Sequence, residues 1–304
     1  MKLKENVIIK YNNDLTSTII NVGTREFKIV DENQIYYKLL LNPNRIRRNS
    51  EFFIFLSKNN LIVKDFHLDN VNIKTQKYFE NQLISKVDNP GTGIETILNK
   101  KIIIIGCGGV GTVVIDNLIR AGFQCFTLID HDIVEKSNLN RQLFYKQDDI
   151  GEKKVNVLST RLNEISNDIE LQTSYNYVKE TKDISMILDK NSSIVINCAD
   201  SPNNIESIIA KAAQEKEVPF ISAFVGQETG TITQVYDSQN SYLHNIESED
   251  ILSLEASVSV TNMLVGSILA KKTIDYLLQK FIHSNYSFYS NQVINFETLR
   301  ILHE

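Results

Sequence analysis

The sequence predicts an α/β fold with a parallel sheet, and three observations support this prediction. A run of β-branched residues that begins at Ile102 ends in a glycine-dense turn. The apolar residues of Thr112–Ala121 recur at helical spacing, and a second apolar run, Cys125–Asp130, comes next. From Lys101 onward, strand-like and helix-like segments continue to alternate, which is the pattern of β-α-β units.

The same alternation predicts the remaining elements of this region. We expect helices over 153–166, 203–215 and 256–280, and strands over 194–198, 219–224 and 230–235. The last helix includes the longest apolar stretch of the chain, in which Ser259, Thr261 and Asn262 are polar. That stretch is too short and too polar to cross a bilayer, so we expect a buried helix and no membrane partner.

The first 65 residues have a different pattern. Short β-rich runs are expected at 6–11, 16–22 and 26–30, helices at 32–41 and 47–58, and a final strand at 61–63. Three strands followed by helices predict a winged-helix-like domain over residues 1–65. Residues 66–100 are polar and contain the turn signal Asn89-Pro90-Gly91. They are predicted to be a linker packed on the main domain, residues 101–304.

Composition narrows the classes of function. The apolar fraction of 42% and the charged fraction of 23% are those of an ordinary globular protein, and the net charge of −5 argues against a nucleic-acid or membrane-surface binder. No apolar targeting segment follows the N-terminus. Cys107, Cys125 and Cys198 lack metal-site spacing. We therefore expect buried thiols, no zinc and a reducing, cytoplasmic environment.

The glycine turn and the acid after the second strand form the phosphate-binding unit of a Rossmann-like domain. Gly106 permits the sharp turn, and Gly108 and Gly109 let backbone N–H groups approach a polyphosphate. Gly111 lets the helix pack close to the strand. Asp130 lies where a carboxylate can accept hydrogen bonds from ribose hydroxyls. The sequence therefore predicts a nucleotide site.

Charged residues beyond this unit favour a polyphosphate with a divalent cation. Arg141 can bind phosphate oxygens in a bidentate manner, and a cation held by Asp132 and Asp200 would neutralise a triphosphate. Each residue has a structural alternative: a surface ion pair for Arg141, a helix N-cap for Asp200 and a solvated side chain for Lys154. Their joint occurrence favours the functional interpretation.

On these motifs the chain resembles the E1-like adenylating enzymes, the ThiF, MoeB and HesA group that activates ubiquitin-like and sulfur-carrier proteins. The resemblance covers about residues 75–300. The matching segments are GCGGVG at 106–111, IDHD at 129–132, SNLNRQLF at 137–144, DIGEKK at 149–154 and NCAD at 197–200.

The resemblance implies ATP and Mg²⁺ as cofactors and a homodimer as the assembly. Asp130 would bind the ribose, Asp132 would help to place Mg²⁺, and Asp200 would be the magnesium-binding acid. The residues that would contact the ATP phosphates are Asn138, Arg141, Gln142 and Lys154. The implied reaction is attack of a C-terminal carboxylate on the α-phosphate. Arg141, Lys154 and Asp200 would promote it through positioning and charge neutralisation.

Two departures from the family pattern narrow the interpretation. The chain has no CxxC pair for zinc, and the loop Tyr236–Leu254 has no cysteine that could form a thioester. Sulfur-carrier activators have an arginine that reaches ATP across the dimer, and Glu80 stands at the corresponding position here. The possible substitutes are Arg45, Arg47 and Arg48, although a solvated basic turn is the favoured interpretation for them.

The N-terminal segment distinguishes among the possible substrates. It resembles the peptide-clamp domain of microcin C-type peptide adenylating enzymes, and the strand Glu26–Val30 would bind an extended peptide by β-strand addition. The alternative, a DNA-binding winged helix, fits the acidic charge less well.

The main hypothesis is therefore ATP-dependent adenylation (nucleotidylation) of the C-terminal carboxylate of a short ribosomally made peptide, as in biosynthesis of peptide antibiotics. One alternative is an activator of a ubiquitin-like or sulfur-carrier protein. A second is a non-catalytic nucleotide- and peptide-binding module, against which the joint presence of Asp130, Arg141, Lys154 and Asp200 argues.

Overall fold

A computed structural model of the protein describes residues 1–68, 71–82, 90–242, 256–279 and 288–304. The chain divides into two compact units, Met1–Ile97 and Leu98–Leu277, and the C-terminal strands belong to the second. The predicted linker, 66–100, contains two helices, and its described residues up to Ile97 belong to the first unit. The domain boundaries drawn at residues 65 and 100 stay a prediction.

Where the structure describes it, the first unit contains a three-stranded antiparallel sheet, a two-stranded ribbon and four α-helices. Its strands are β1 (Lys2–Leu3), β2 (Val7–Asn12), β3 (Ser17–Val22), β4 (Arg25–Val30) and β5 (Ile62–Val63). Its helices are α1 (Ile35–Leu41), α2 (Glu51–Lys58), α3 (Ile73–Gln82) and α4 (Pro90–Leu98). The three β-rich runs, the two helices and the final strand expected over residues 6–63 are confirmed. Their identification as a winged-helix-like clamp stays a prediction.

The central strand of the small sheet lies over the core of the first unit. Ile20 of β3 is fully buried and packs in one cluster with Leu40, Leu56 and Leu61. Gly23, at a φ of 56°, lets the chain turn back between β3 and β4. The strand order β2-β3-β4 leaves β4 at an edge of this sheet.

Glu80, which stands where related enzymes have an arginine, has a structural role inside the first unit. Its side chain is fully buried in α3 and lies 3.0 Å from the ammonium of Lys2. The side chains of Arg45, Arg47 and Arg48 are exposed.

The turn predicted from Asn89-Pro90-Gly91 is wrong for Pro90 and Gly91, which are helical. Pro90 begins α4, and this position suits a residue without a backbone N–H. Asn89 lies outside the described residues.

The second unit is built on an eight-stranded mixed sheet with five helices among its described residues. The strands are β6 (Lys101–Ile105), β7 (Cys125–Ile129), β8 (Glu170–Ser174), β9 (Ser192–Asn197), β10 (Phe220–Val225), β11 (Thr229–Ile232), β12 (Gln292–Asn295) and β13 (Arg300–His303). The helices are α5 (Gly109–Arg120), α6 (Lys154–Ile165), α7 (Thr181–Ser185), α8 (Ile205–Glu215) and α9 (Ser259–Leu278).

The topology of this sheet creates a crevice. The strand order is β13-β12-β11-β10-β9-β6-β7-β8, and the five strands from β10 to β8 are parallel. Chain order reverses at β6, because β7 lies on one side of it and β9 on the other. Ligands of open α/β sheets bind at such a switch point, outside the carboxyl ends of the strands.

The predicted β-α-β alternation from Lys101 is confirmed, with two corrections. Helix α5 begins at Gly109 with Gly108 as its N-cap, three residues before the expected Thr112, since both later glycines adopt helical backbone. The long helix begins at Ser259, and its expected end at Lys280 lies outside the described residues. Within the described ranges, no helix has the length and apolar character needed to span a membrane.

A lysine is buried in the long helix. Lys272 is completely buried, and its ammonium donates to the backbone carbonyls of Thr233 at 3.0 Å and Ser290 at 2.9 Å. Burial lowers the pKa of Lys272 to about 8. The side chain thus joins α9 to the segments that flank β11 and β12, while its charge is unfavourable there.

The lowered pKa of Lys272 predicts a specific pH dependence of stability. Between about pH 8 and pH 10.5 the folded protein has lost this proton and the unfolded chain has kept it, so raising the pH favours folding. We expect the wild type to gain about 2 kcal/mol over Lys272→Met between about pH 7.5 and 9.5 in urea unfolding. An equal response of the two proteins to pH would contradict the assignment.

Candidate active site

A cleft of about 370 Å³ lies at the carboxyl ends of the parallel strands. Ile105, Ile129, Cys198 and Val225, at or just after the ends of β6, β7, β9 and β10, contribute to its wall. The cleft brings together ten of the residues that the sequence singled out: Gly106, Gly108, Gly109, Asp130, Asp132, Asn138, Arg141, Gln142, Lys154 and Asp200. Gly111 does not line the cleft.

The glycines fix how closely the loop and helix approach the sheet. Gly106 has a φ of 88°, and a Cβ there would lie 2.7 Å from the backbone of Cys198 and Ala199. A Cβ on Gly111 would collide with the carbonyl oxygen of Gly106, so its absence permits close packing of α5 on β6. Gly108, the N-cap of α5, lines the cleft together with the first helical residues, Gly109 and Val110. The N–H groups of a first helical turn have no partner within the helix. This end of a helix attracts anions.

Asp130 connects the glycine loop to the turn after β7. Its Oδ2 accepts the backbone N–H of Cys107 at 2.6 Å, and its Oδ1 accepts that of Asp132 at 2.7 Å. Burial raises the pKa of the Asp130 carboxyl, against the lowering effect of the Lys154 ammonium. Each oxygen of a carboxylate can accept a further hydrogen bond. The contact of Asp130 with a ribose stays a prediction.

Lys154 and Asp132 form an ion pair within the cleft. The Lys154 ammonium lies 2.7 Å from Oδ2 of Asp132, and the Lys154 side chain is 4% exposed whereas that of Asp132 is 48% exposed. Nε2 of His131 lies 3.3 Å from the other carboxylate oxygen of Asp132. A buried cation is therefore presented to the cleft, with an exposed carboxylate as its counter-charge.

The donor set of the cleft fits Mg²⁺, which prefers carboxylate oxygens and water. Ligand atoms of Asp130, His131 and Asp132 lie within 4.8 Å of one another. Asp200 follows β9, is exposed and lines the same cleft, but it is not a member of that close group. The predicted metal ligands Asp132 and Asp200 therefore approach the cleft from turns on different strands.

The turn that carries Asn138, Arg141 and Gln142 is held by its own hydrogen bonds. Oδ1 of Asn138 accepts the N–H of Glu135 at 2.9 Å, and the guanidinium of Arg141 donates to the carbonyl of Ser137 at 2.9 Å. Among the described residues, Oε1 of buried Gln142 has no hydrogen-bond partner. These groups are ordered along one wall of the cleft, and their contacts with phosphate stay a prediction.

Sequence reasoning missed the contribution of α9 to the cleft. Asn262 lines the cleft and donates to Oγ of Ser257 at 2.9 Å and to the carbonyl of Val258. A Cβ on Gly109 would collide with the Asn262 side chain, so α5 and α9 are in close contact at this point. The available signal was a single asparagine within a long apolar run, which needs the fold to be interpreted.

The surroundings of the cysteines raise the pKa values of their thiols. Burial raises the pKa of Cys107, and it raises the pKa of Cys198 to about 12. The expectation of complete burial is wrong for Cys125 and Cys198, which are half-buried; Cys125 lies at the start of β7, where its sulfur is 3.6 Å from Glu170. The part of the cysteine-free loop from residue 243 to 254 lies outside the described residues.

Comparison with known proteins assigns the family. The model of the ThiF family matches residues 79–304, so the chain belongs to the ThiF family of E1-like adenylyltransferases, as its motifs predicted. One relative is the Bacillus subtilis sulfur carrier protein ThiS adenylyltransferase, which is 31% identical over 166 residues, or 53% of this chain and 47% of that protein. The chain therefore spans about half the length of this curated relative.

Solved structures share the fold along the whole chain. PaaA superposes with a TM-score of 0.77 at 18% identity and covers 99% of this chain and 98% of its own. E. coli MccB, crystallised with AMPCPP and MccA, superposes with a TM-score of 0.74 at 21% identity and covers 100% of this chain and 96% of its own. The superpositions establish a common fold, and at these identities they show the fold alone.

The close contact between Gly109 and Asn262 can be tested by substitution. We expect Gly109→Ala to destabilise the protein by about 1–3 kcal/mol, because the added methyl group overpacks the α5–α9 contact. Combining Gly109→Ala with Asn262→Ala should restore more than half of the stability that Gly109→Ala alone loses. Urea unfolding of the two single variants and the double variant would measure this. Strictly additive losses would show that the two positions do not touch.

Proposed function

We propose that the protein is an ATP-dependent enzyme that adenylates the C-terminal carboxylate of a short, ribosomally made peptide. One observation supports this most strongly: a helix N-terminus, the cationic side chains of Arg141 and Lys154, and the carboxylates of Asp132 and Asp200, from turns after different strands, line a single cleft. Membership of the ThiF family supports the chemistry.

In the proposed reaction, this chain's residues bind and polarise ATP. The N–H groups at the start of α5 bind the polyphosphate, assisted by the helix dipole. Lys154 supplies a buried positive charge that is paired with Asp132, and Arg141 supplies a planar donor for phosphate oxygens. Asp132 and Asp200 would hold Mg²⁺, which neutralises phosphate charge and makes the α-phosphorus more electrophilic.

The chemical step needs no nucleophile from the protein. A carboxylate oxygen of the peptide forms a bond to the α-phosphorus, and the bond from that phosphorus to the bridging oxygen of the β-phosphate breaks. Pyrophosphate leaves with the electron pair, and the peptide remains as an acyl adenylate. The raised pKa of Cys107 keeps that thiol protonated, which suits a reaction without a thioester.

The small sheet of the first unit supplies a surface for an extended peptide. The N–H of Asp31 donates to the carbonyl of Thr16, so alternate residues of β4 face β3, and the N–H groups of Glu26, Lys28 and Val30 face outward. Such an edge can accept a further strand. MccB, whose fold extends over this region as well, was crystallised with MccA, which supports a peptide substrate here.

A carrier-protein activator is the second candidate, favoured by the 31% identity to the ThiS adenylyltransferase. The two candidates differ in substrate and share the adenylation step. ATP–pyrophosphate exchange with a peptide encoded beside the gene supports the first, and exchange with a ubiquitin-like protein ending in Gly-Gly supports the second. Exchange with neither substrate would favour the non-catalytic module. For either enzyme we propose a homodimer, as the family resemblance implies.

The role of Asp200 provides a test of the chemistry. We expect Asp200→Ala to lower ATP–pyrophosphate exchange by at least about a hundredfold, because a charge-stabilising group of this kind contributes about 3 kcal/mol. The exposed position of the carboxylate should leave thermal unfolding unchanged. The matched control is Asp168→Ala, an exposed carboxylate outside the cleft. Near-normal exchange by Asp200→Ala would refute the proposed site.

The edge of β4 provides a test of the substrate. Lys28 is exposed and its N–H faces outward, so Lys28→Pro removes a donor from the edge while the hydrogen bonds to β3 remain. We expect the KM for peptide to rise by about tenfold, with the Kd for ATP unchanged, because β-strand addition depends on main-chain hydrogen bonds. Lys28→Ala, which keeps the N–H, should behave as wild type. An unchanged KM in Lys28→Pro would exclude this edge as the peptide site.

A further inference from the structure

We propose that Tyr177 is a positioning residue that sets the separation of the Asp132 and Asp200 carboxylates. This inference rests on the proposed function, in which the two carboxylates hold one Mg²⁺–ATP complex. Tyr177 contacts neither carboxylate. It contacts the residue next to each of them.

Tyr177 lies at the rim of the cleft, in the segment that follows β8. Its neighbours Asn176 and Val178 line the cleft, and Val178 is also buried in the core of the second unit. The segment is therefore anchored in the core directly after the tyrosine. Tyr177 itself is half-buried.

Two contacts join Tyr177 to the acid-bearing turns. Its ring meets the ring of His131 edge-to-face, with centroids 4.5 Å apart and planes at 72°. Its hydroxyl lies 3.1 Å from Oγ of Ser201, the residue after Asp200. His131 precedes Asp132, and its Nε2 lies 3.3 Å from the Asp132 carboxylate. The tyrosine thus links the two turns through their side chains.

The sheet does not supply this link. The Asp132 turn follows β7 and the Asp200 turn follows β9, and β6 lies between these strands in the sheet. No ladder of backbone hydrogen bonds therefore runs directly from one strand to the other. A pair of carboxylates that holds one small, octahedral cation needs a defined separation. The contacts of Tyr177 with His131 and Ser201 connect the two turns directly, and we call this connection the brace.

The geometry predicts a loss of metal affinity when the brace is removed. Tyr177→Phe deletes the hydroxyl and keeps the ring on His131, and Ser201→Ala deletes the other end of the same hydrogen bond. Each should weaken metal binding by about threefold to tenfold, as expected for the loss of one hydrogen bond. The double variant should bind the metal no more weakly than either single variant, because both substitutions remove the same hydrogen bond. Tyr177→Leu, which also removes the ring contact with His131, should bind the metal more weakly than Tyr177→Phe.

The measurement is Mn²⁺ binding to the full-length protein, followed by electron paramagnetic resonance with saturating AMPCPP. This probe needs no peptide and no turnover. The affinity for AMPCPP in EDTA, without a divalent cation, should equal that of wild type, because the phosphate-binding groups are untouched. A merely structural role would lower both affinities together. The matched control is Tyr175→Phe, which removes a hydroxyl from the same segment, where the ring of Tyr175 lies under the ammonium of Lys153.

The outcomes separate this inference from the proposed function. Wild-type Mn²⁺ affinity in Tyr177→Phe, or additive losses in the double variant, would overturn the positioning role and leave the adenylation site intact. Failure of the wild-type protein to bind Mn²⁺ with AMPCPP would instead refute the proposed function. A loss in both single variants without further loss in the double variant, and with Tyr175→Phe unaffected, supports the brace.

Discussion

The geometry of the cleft depends on the hydrogen bonds that the buried carboxylate of Asp130 accepts. It accepts the N–H of Cys107 in the glycine loop and the N–H of Asp132 in the turn after β7. Two chain segments that end neighbouring parallel strands are thereby held in one geometry. The start of α5 and the Lys154–Asp132 ion pair both take their positions from these segments. Because the carboxylate is shielded from water, its hydrogen bonds to backbone amides are strong, and the loop is arranged before any ligand binds.

The central β6-α5-β7 unit could be predicted from the sequence because its signals are local. From Ile102 to Ile105, β6 is continuously apolar and buried on both faces, and Gly106 and Gly111 occupy positions that only glycine fits. Strands β8, β12 and β13 escaped prediction. Glu170–Ser174 is polar and Arg300–His303 is exposed along its length, so neither shows the apolar pattern of a buried strand.

The residues of the site could be predicted from the sequence, whereas their geometry could not. The motifs predicted that Asp132, Lys154 and Asp200 lie at one site, because parallel strands place their carboxyl ends at one edge of the sheet, and all three residues line one cleft. The sequence gives no means of knowing that Asp130 is bonded to two amides, or that Asn262 of a distant helix meets Gly109. The contact of Asp130 with Cys107 and that of Asn262 with Gly109 join residues far apart in the chain. Likewise, half-burial of Cys125 follows from its place at the beginning of a strand.

The electrostatics of the cleft explain why, in the proposed function, ATP can bind without a large desolvation penalty. Lys154 is already removed from water, and its charge is balanced by Asp132. In the proposed mechanism, the phosphates replace Asp132 as the counter-charge of this ammonium, and Asp132 becomes available to a cation that arrives with them. Both charges keep an opposite partner throughout, so the exchange avoids leaving a buried charge unpaired, which would be far costlier. In the proposed mechanism, the ion pair thus supplies a counter-charge for Lys154 until the phosphates bind.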